Sequence, residues 1–563
     1  MSDTPTTDRP QTDTVVYMAR RIITMNPARP TATAVAVRGD RILGVGSVEE
    51  MATWGPHTID DRFAGHILTP GFVEAHTHVM SGGVWQYTYV GFFERRDPDG
   101  QVWSGCTTVE DVIERLVEVE STMEPGEILV AWGLDPIYFS GDRMVAKHLD
   151  QVSRERPIFV HHASGHLATI NTAMIERCEI TEHTPTPGVA LGPDGTPNGE
   201  LQEPPAMLLA ADAYRLLGQA MQSVEAKWSY AKEARNAGHT LVTDLGTTRL
   251  QQPEALQAWR DVTDDPEYPV RVMVAVSTMT GPSDPVELAA LGAQLRDEAA
   301  DKLKFGIVKL LLDGSIQGFT ARISWPHYHQ PPEGHPGNGL WLIAPDQLAD
   351  LVSSFHDAGL TVHCHCNGDE ASEVFIDAVE KALERNPRWD HRHTVQHSQL
   401  TTPAQYERMA ALGMQANIFS NHIYYWGDQH RDITVGPDRA AGMDACATAE
   451  RSGVRFSIHS DCPITPMGHL HTAWCAVNRF TASGQVLGEN ERISVHSAMR
   501  AITIDAAHQI KLDHEIGTIE TGKYADFAVL EADPYEVPPE TLKDIGVWGT
   551  VLGGVPQQAG SGG

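Results

Sequence analysis

His76 and His78 stand two residues apart at the end of an apolar run, TPGFVEAHTH. On an extended segment that spacing points both side chains the same way, so two imidazoles can hold one cation. The chain has 27 histidines, and a His-x-His pair alone says little in that company. Four more residues carry the argument. Lys309 lies inside GIVKLLLDG, where an unpaired ammonium is costly to bury. Reaction with CO2 would turn it into a carbamate, which removes the charge and offers two oxygens able to bridge a pair of metals. His365 and His397 end the runs LTVHCHC and HTVQHS, and Asp461 follows VRFSIHS. This nitrogen and oxygen donor set suits divalent ions such as Zn2+, two per chain. A metal lowers the pKa of a bound water toward ~7. Asp461 would take that proton and later return it to a leaving group.

Other residues are candidates for lesser roles. His166 in SGHLATIN and His422 in FSNHIYY are expected to contact substrate. His363 either shares the pocket face of His365 or packs in the core. Cys364 and Cys366 alternate away from His365 and are expected between strand and helix. His161, His162 and His459 receive no role.

The elements that must position these groups follow from periodicity. Eight apolar runs read as strands: ILTPGFVEA, TLVTDLG, VRVMVAV, FGIVKLLL, LTVHCHC, HTVQHS, MQANIFS and VRFSIHS. Helix-period segments such as PDQLADLVSSFHDAG and EASEVFIDAVEKALERN lie between them. Alternating βα units predict an α/β fold, a closed (β/α)8 TIM-type barrel, whose strand ends gather the six polar residues on one face. A doubly wound open sheet is the alternative. Strand-like segments at both chain ends predict one small β-sandwich domain. The expected boundaries are 14–66 and 515–556 for the β-sandwich and 67–514 for the barrel. A subdomain inserted at about 80–237 would shape the pocket. Residues 1–13 and 557–563 read as disordered tails.

Bulk properties bound the function. The net charge of −32 works against nucleic acid and anionic membranes as partners. No apolar run reaches the ~18 residues of a membrane span, and MSDTPTTDRPQTDT lacks the apolar stretch of a signal peptide. A cytoplasmic enzyme acting on a small molecule is expected. The seven cysteines are scattered and imply no disulfide framework.

As an ordered set, TPGFVEAHTH, Lys309, His365, His397 and Asp461 resemble the amidohydrolase superfamily. The segments VKLLLDGSIQGFTA, HCNGDEA, SGHLATIN, DGTPNGELQE and SDCP are similar to its group of YtcJ-like proteins and N-substituted formamide deformylase. The resemblance spans roughly residues 14–556. It implies hydrolysis of an amide-type C–N bond, as in an N-acyl or N-formyl amine. It places His76 and His78 on a first metal, Lys309 as a carboxylated bridge, His365 and His397 on a second metal, and Asp461 as the proton-transfer group. It also implies a homodimer. Three positions depart from the family pattern: Glu74 replaces the usual aspartate, HCNGD replaces the usual HAIGD, and His459 replaces a small residue.

Other activities fit the same frame. A cyclic-amide hydrolase or deaminase would use the same barrel, but deaminases of the superfamily place a glutamate three residues after a barrel histidine, and Gly368 occupies that place here. A non-enzymatic metal-binding protein would not require Asp461. An isomerase or hydratase would act without consuming a C–N bond.

Overall fold

The computed structural model describes residues 14–139, 143–165, 167–247, 250–278, 284–332 and 337–560. The elements that matter to function are parallel strands: β1 (Phe72–Thr77), β2 (His239–Asp244), β3 (Arg271–Val274), β4 (Ile307–Leu311), β5 (Thr361–Cys366), β6 (Thr394–His397), β7 (Gln415–Ile418) and β8 (Phe456–Ile458). Each coincides with one of the apolar runs. β1, β2 and β3 pair in chain order in one ladder. The short strand Val276–Ser277 continues β3 and starts a second ladder, which runs through β4, β5, β6, β7 and β8. Ala275 sits at the change of ladder and donates its N–H to Asp244 O at 2.9 Å. Parallel strands are covered on both faces, and every residue of β1, β2, β3, β6, β7 and β8 is buried. The covering helices bury one side each. Pro345–Asp357 has proline at its first turn, and Pro403–Leu412 carries a Thr402–Gln405 capping box.

The first and last of these strands also meet. His78 N–H donates to Cys462 O at 3.1 Å. The Glu74 carboxylate accepts from His76 N at 3.1 Å, Ser460 N at 3.0 Å and Ser460 Oγ at 2.5 Å. One buried side chain thus ties the ends of β1 and β8.

Both chain ends share a single seven-stranded sheet. Its order is Val555–Gln558, Val547–Leu552, Phe527–Leu530, His57–Pro70, Thr14–Ile23, Thr31–Arg38 and Arg41–Gly46. Two expected boundaries need correction. His57–Pro70 pairs with Phe527–Leu530 as far as Pro70, so residues 67–70 belong to this sheet. Gln557 and Gln558 are not tail: Val555–Gln558 pairs back on Val547–Leu552. Gly553 and Gly554, at φ 55° and 79°, make the tight turn between them.

The insertion has a sheet of its own that the sequence did not reveal. Its order is Val189–Leu191, Pro197–Gln202, Leu167–Ile170, Ile158–His162, Leu129–Leu134 and Thr88–Tyr89. Alternate residues feed two separate cores: Phe159 and Trp132 pack on one face, Val160 and Ala131 on the other. Among the described residues, no helix is long and apolar enough to cross a membrane.

A buried ion pair locks the chain-end sheet to the parallel strands. Arg271, at the start of β3, meets Asp526 Oδ2 at 2.8 Å, and both side chains are 2% exposed. The guanidinium also reaches Asp301 at 2.6 Å and stacks on the Tyr524 ring. Replacing Asp526 by alanine leaves the buried guanidinium with only the half-exposed Asp301 as a counter-ion. We predict a loss of about 3–5 kcal/mol, read as a lowered thermal unfolding temperature. An unchanged temperature would show that the pair does not hold the two parts together.

Candidate metal centre

Strand ends bring most of the singled-out residues into one cluster. His76 is near the end of β1, where the register with β2 shifts between Glu74 and Thr77. Such a bulge re-aims a side chain. His78 follows the strand. Their Nε2 atoms lie 3.3 Å and 3.1 Å from the same oxygen, Asp461 Oδ1. Lys309, midway along β4, puts Nζ 3.5 Å from His76 Nε2. The His397 ring, at the end of β6, is 4.5 Å from that of His76, and its Nδ1 is 3.8 Å from Asp461 Oδ2. His365 lies on the far side of His397, ring centroids 4.4 Å apart. Its Nε2 faces the Asn367 amide at 3.1 Å and Asp313 at 3.7 Å. It joins neither of the three-ligand groups that form here, His76–His78–Asp461 and His76–His397–His459.

Below these groups, buried amides set the imidazole tautomers. Asn417 donates its Nδ2–H to Gln396 Oε1 at 2.9 Å, and Gln396 donates its Nε2–H to His363 Nδ1 at 2.7 Å. Gln396 Oε1 is therefore an acceptor, and His76 Nδ1, 2.6 Å away, must be the donor. This leaves a lone pair on His76 Nε2. The same logic runs through Asn417 Oδ1. His459 Nδ1–H donates to it at 3.0 Å, so His459 Nε2 accepts from His397 Nδ1–H at 3.1 Å. His397 Nε2 is left as a buried lone pair with no partner. These proton assignments follow from the network as a whole.

The electrostatics agree with this arrangement. Burial holds His76 and His397 well below the usual histidine range, with the Lys309 charge among the further causes. Both are neutral, as metal ligands must be. Burial also pulls Lys309 down to about 8, against the opposing pull of Asp461. For Asp461, burial raises the pKa, but the His78 hydrogen bond and the charges of His78, His459 and Lys309 outweigh it and leave a net lowering. The cluster thus gathers imidazole nitrogens around one carboxylate oxygen, Asp461 Oδ1. The Lys309 Nζ stands 3.5 Å from His76 Nε2, and the remaining nitrogen and oxygen donors are of the types that hold a divalent ion. The donor set fits a divalent metal on these grounds. Backbone strain marks the same place: His397, Ser398 and Asp461 have φ of 70°, 51° and 53°, a region that costs a non-glycine residue about 1–3 kcal/mol.

Two expected substrate contacts fare differently. His166 lies outside the described residues. His422 is buried, 1% exposed, and the structure does not bring it to the cluster. It hydrogen-bonds His430 at 2.8 Å, stacks on Trp426, and stands behind Phe419, whose ring covers His459. His459, Gln396 and Asn417 are the residues that sequence reasoning missed. Gln396 and Asn417 were detectable as large amides inside otherwise buried parallel strands, and His459 as a neighbour of Asp461. The cluster opens on the His78 side, where the imidazole is 24% exposed against 1% for His76. Gly246 lies against that ring, and a Cβ there would stand 2.4 Å from His78 Nδ1.

Known proteins share this frame. A model of the amidohydrolase family matches residues 64–557. The chain is 26% identical to the putative amidohydrolase YtcJ of Bacillus subtilis, over 95% of this chain and 97% of that protein. It is 24% identical to the N-substituted formamide deformylase of Arthrobacter pascens, over 94% of this chain and 96% of that protein. A crystal structure of an uncharacterized metal-dependent hydrolase from Pyrococcus horikoshii superposes with a TM-score of 0.70 at 19% identity, covering 94% and 99% of the two chains. With the family model spanning most of its length, this chain belongs to the amidohydrolase family.

Proposed function

We propose that the protein is a metal-dependent amidohydrolase that cleaves an amide-type C–N bond in an N-acyl or N-formyl amine. The observation that carries this reading is the convergence of His76 Nε2 and His78 Nε2 on Asp461 Oδ1, with the His397 ring 4.5 Å from that of His76. His76, His78 and Asp461 would hold one divalent ion. His397, His365 and a carboxylated Lys309 would complete a second position, and Zn2+ suits both. Closure of β1 on β8 through Glu74 favours a (β/α)8 barrel as the frame, with the strand ends as its active face. The similarity to a formamide deformylase favours the substrate class.

Bound metal would supply a Lewis acid and acidify a water in the site. The chain's own groups do the rest. The surrounding charges and the His78 hydrogen bond hold Asp461 toward its ionised form, so it accepts a proton from the attacking water and passes it to the nitrogen of the leaving amine. His76 and His397 keep neutral, fixed rings because Gln396 and Asn417 hold their other nitrogens. His78 is the most exposed of these ligands, 24% against 16% for His365, so the substrate approaches there.

The test is release of free amine from a panel of N-formyl and N-acyl amines, with and without a chelator. Turnover that a chelator abolishes and added Zn2+ restores is expected. Full turnover in metal-free protein would overturn the reading. Asp461→Asn should lower kcat by roughly 10²–10⁴-fold in a folded protein, and wild-type kcat would remove its proton-transfer role. Lys309→Ala should reduce metal stoichiometry, so two tightly held ions in that variant would exclude a bridging carbamate. Gly246→Ala crowds His78 and should weaken metal retention in dialysis, which unaltered retention would contradict.

A further inference from the structure

A cavity of about 540 Å³ lies beside His78, between the insertion and the segment that follows β2. This is a common size for a small-molecule site. Gly246 is its shared wall with the cluster: it lines the cavity, and its Cα lies so close to His78 that no side chain fits between them. Met80, Leu217, Met221 and Trp259 make much of the remaining surface apolar.

Lys227 is the buried cation on that wall. It lines the cavity yet is only 8% exposed. It makes no ion pair among the described residues. Its ammonium donates two long hydrogen bonds, each 3.4 Å, to the carbonyls of Gln222 and Ser223. The Trp259 ring stands 5.2 Å away. The charges of Asp244 and Glu225 favour the ammonium, but neither carboxylate forms an ion pair with it, and Asp244 accepts instead from Val79 N, Gly246 N and the Thr247 hydroxyl. Glu254, also on the lining, is exposed to water. An ammonium withdrawn from water without a counter-ion is costly, and a buried anion at hydrogen-bond distance offsets that cost.

We infer that this cavity binds the non-reacting arm of the substrate, an apolar group ending in a carboxylate that pairs with Lys227. The ligand is called a substrate on the strength of the amidohydrolase reading, but its binding does not depend on turnover. The chemical class is an amide whose scissile bond is separated by an apolar spacer from an acid group. The high overall negative charge of the chain makes a dedicated cation the natural device for holding such an anion.

Calorimetric titration of the full-length protein with phenylpropionate and with its neutral counterpart phenylpropionamide tests this. Wild type should bind the acid at least about tenfold more tightly, the worth of one charge-assisted hydrogen bond. Lys227→Met should bind the two alike. Leu217→Trp, whose indole fills the cavity, should bind neither. Equal affinities in wild type would overturn the inference. So would an acid preference that survives in Lys227→Met or Leu217→Trp, because it would place the carboxylate on the metal cluster instead. Should Lys227→Met fail to fold, the wild-type comparison and Leu217→Trp still decide. The expected binding pattern without hydrolysis of any amide would remove the hydrolase reading alone. Hydrolysis without the pattern would remove this inference alone.

Discussion

The centre depends on one constraint: two buried amides leave the imidazoles no choice of proton position. Gln396 and Asn417 are paired across β6 and β7 in the strand register. Asn417 donates to Gln396, His76 donates to Gln396, and His459 donates to Asn417. From these contacts the lone pair of His76 is turned toward Asp461, and that of His397 is left on Nε2, the nitrogen not held by His459. Such a network is worth having only when every member is satisfied. It also explains why register matters so much here. A slip of one residue in β6 or β7 would turn the amides toward the helices and release both rings.

The same ends of the strands meet the two remaining parts of the molecule. Glu74 joins β1 to β8 directly beneath His76, and its carboxyl is pushed up to about 8 by burial, against the hydrogen bonds from Ser460 and His76. A glutamate in place of the usual aspartate has the extra length to span both strand ends. On the opposite, open side, His78 faces the insertion. The insertion folds on its own sheet and its own apolar clusters, so it can vary in shape without disturbing the cluster around Asp461. The division of labour is physical: strands set the chemistry, and the insertion with the segment after β2 sets what fits.

Much of this was legible in the sequence for stated reasons. Fully covered parallel strands leave short runs rich in apolar residues, and His76, Lys309, His365, His397 and Asp461 lie inside, at the end of or just after such runs. The support beneath them was less legible. Gln396 precedes a singled-out histidine and Asn417 sits in a strand with no other candidate, so only their pairing in space reveals their task. The insertion sheet escaped notice because its strands are short and separated by turns. His422 carries the opposite lesson. A histidine beside aromatic residues reads equally as a substrate contact or a packed ring, and its stacking on Trp426 and His430 makes it the second.

The central claim is that this cluster of lone pairs exists to hold a divalent cation. Elemental analysis of the purified full-length protein, alongside a His76→Ala variant shown to be folded, addresses it directly. The account predicts one to two equivalents of a divalent metal in wild type and a clear loss in the variant. Metal-free wild type after growth with ample zinc, or equal metal content in both proteins, would contradict it.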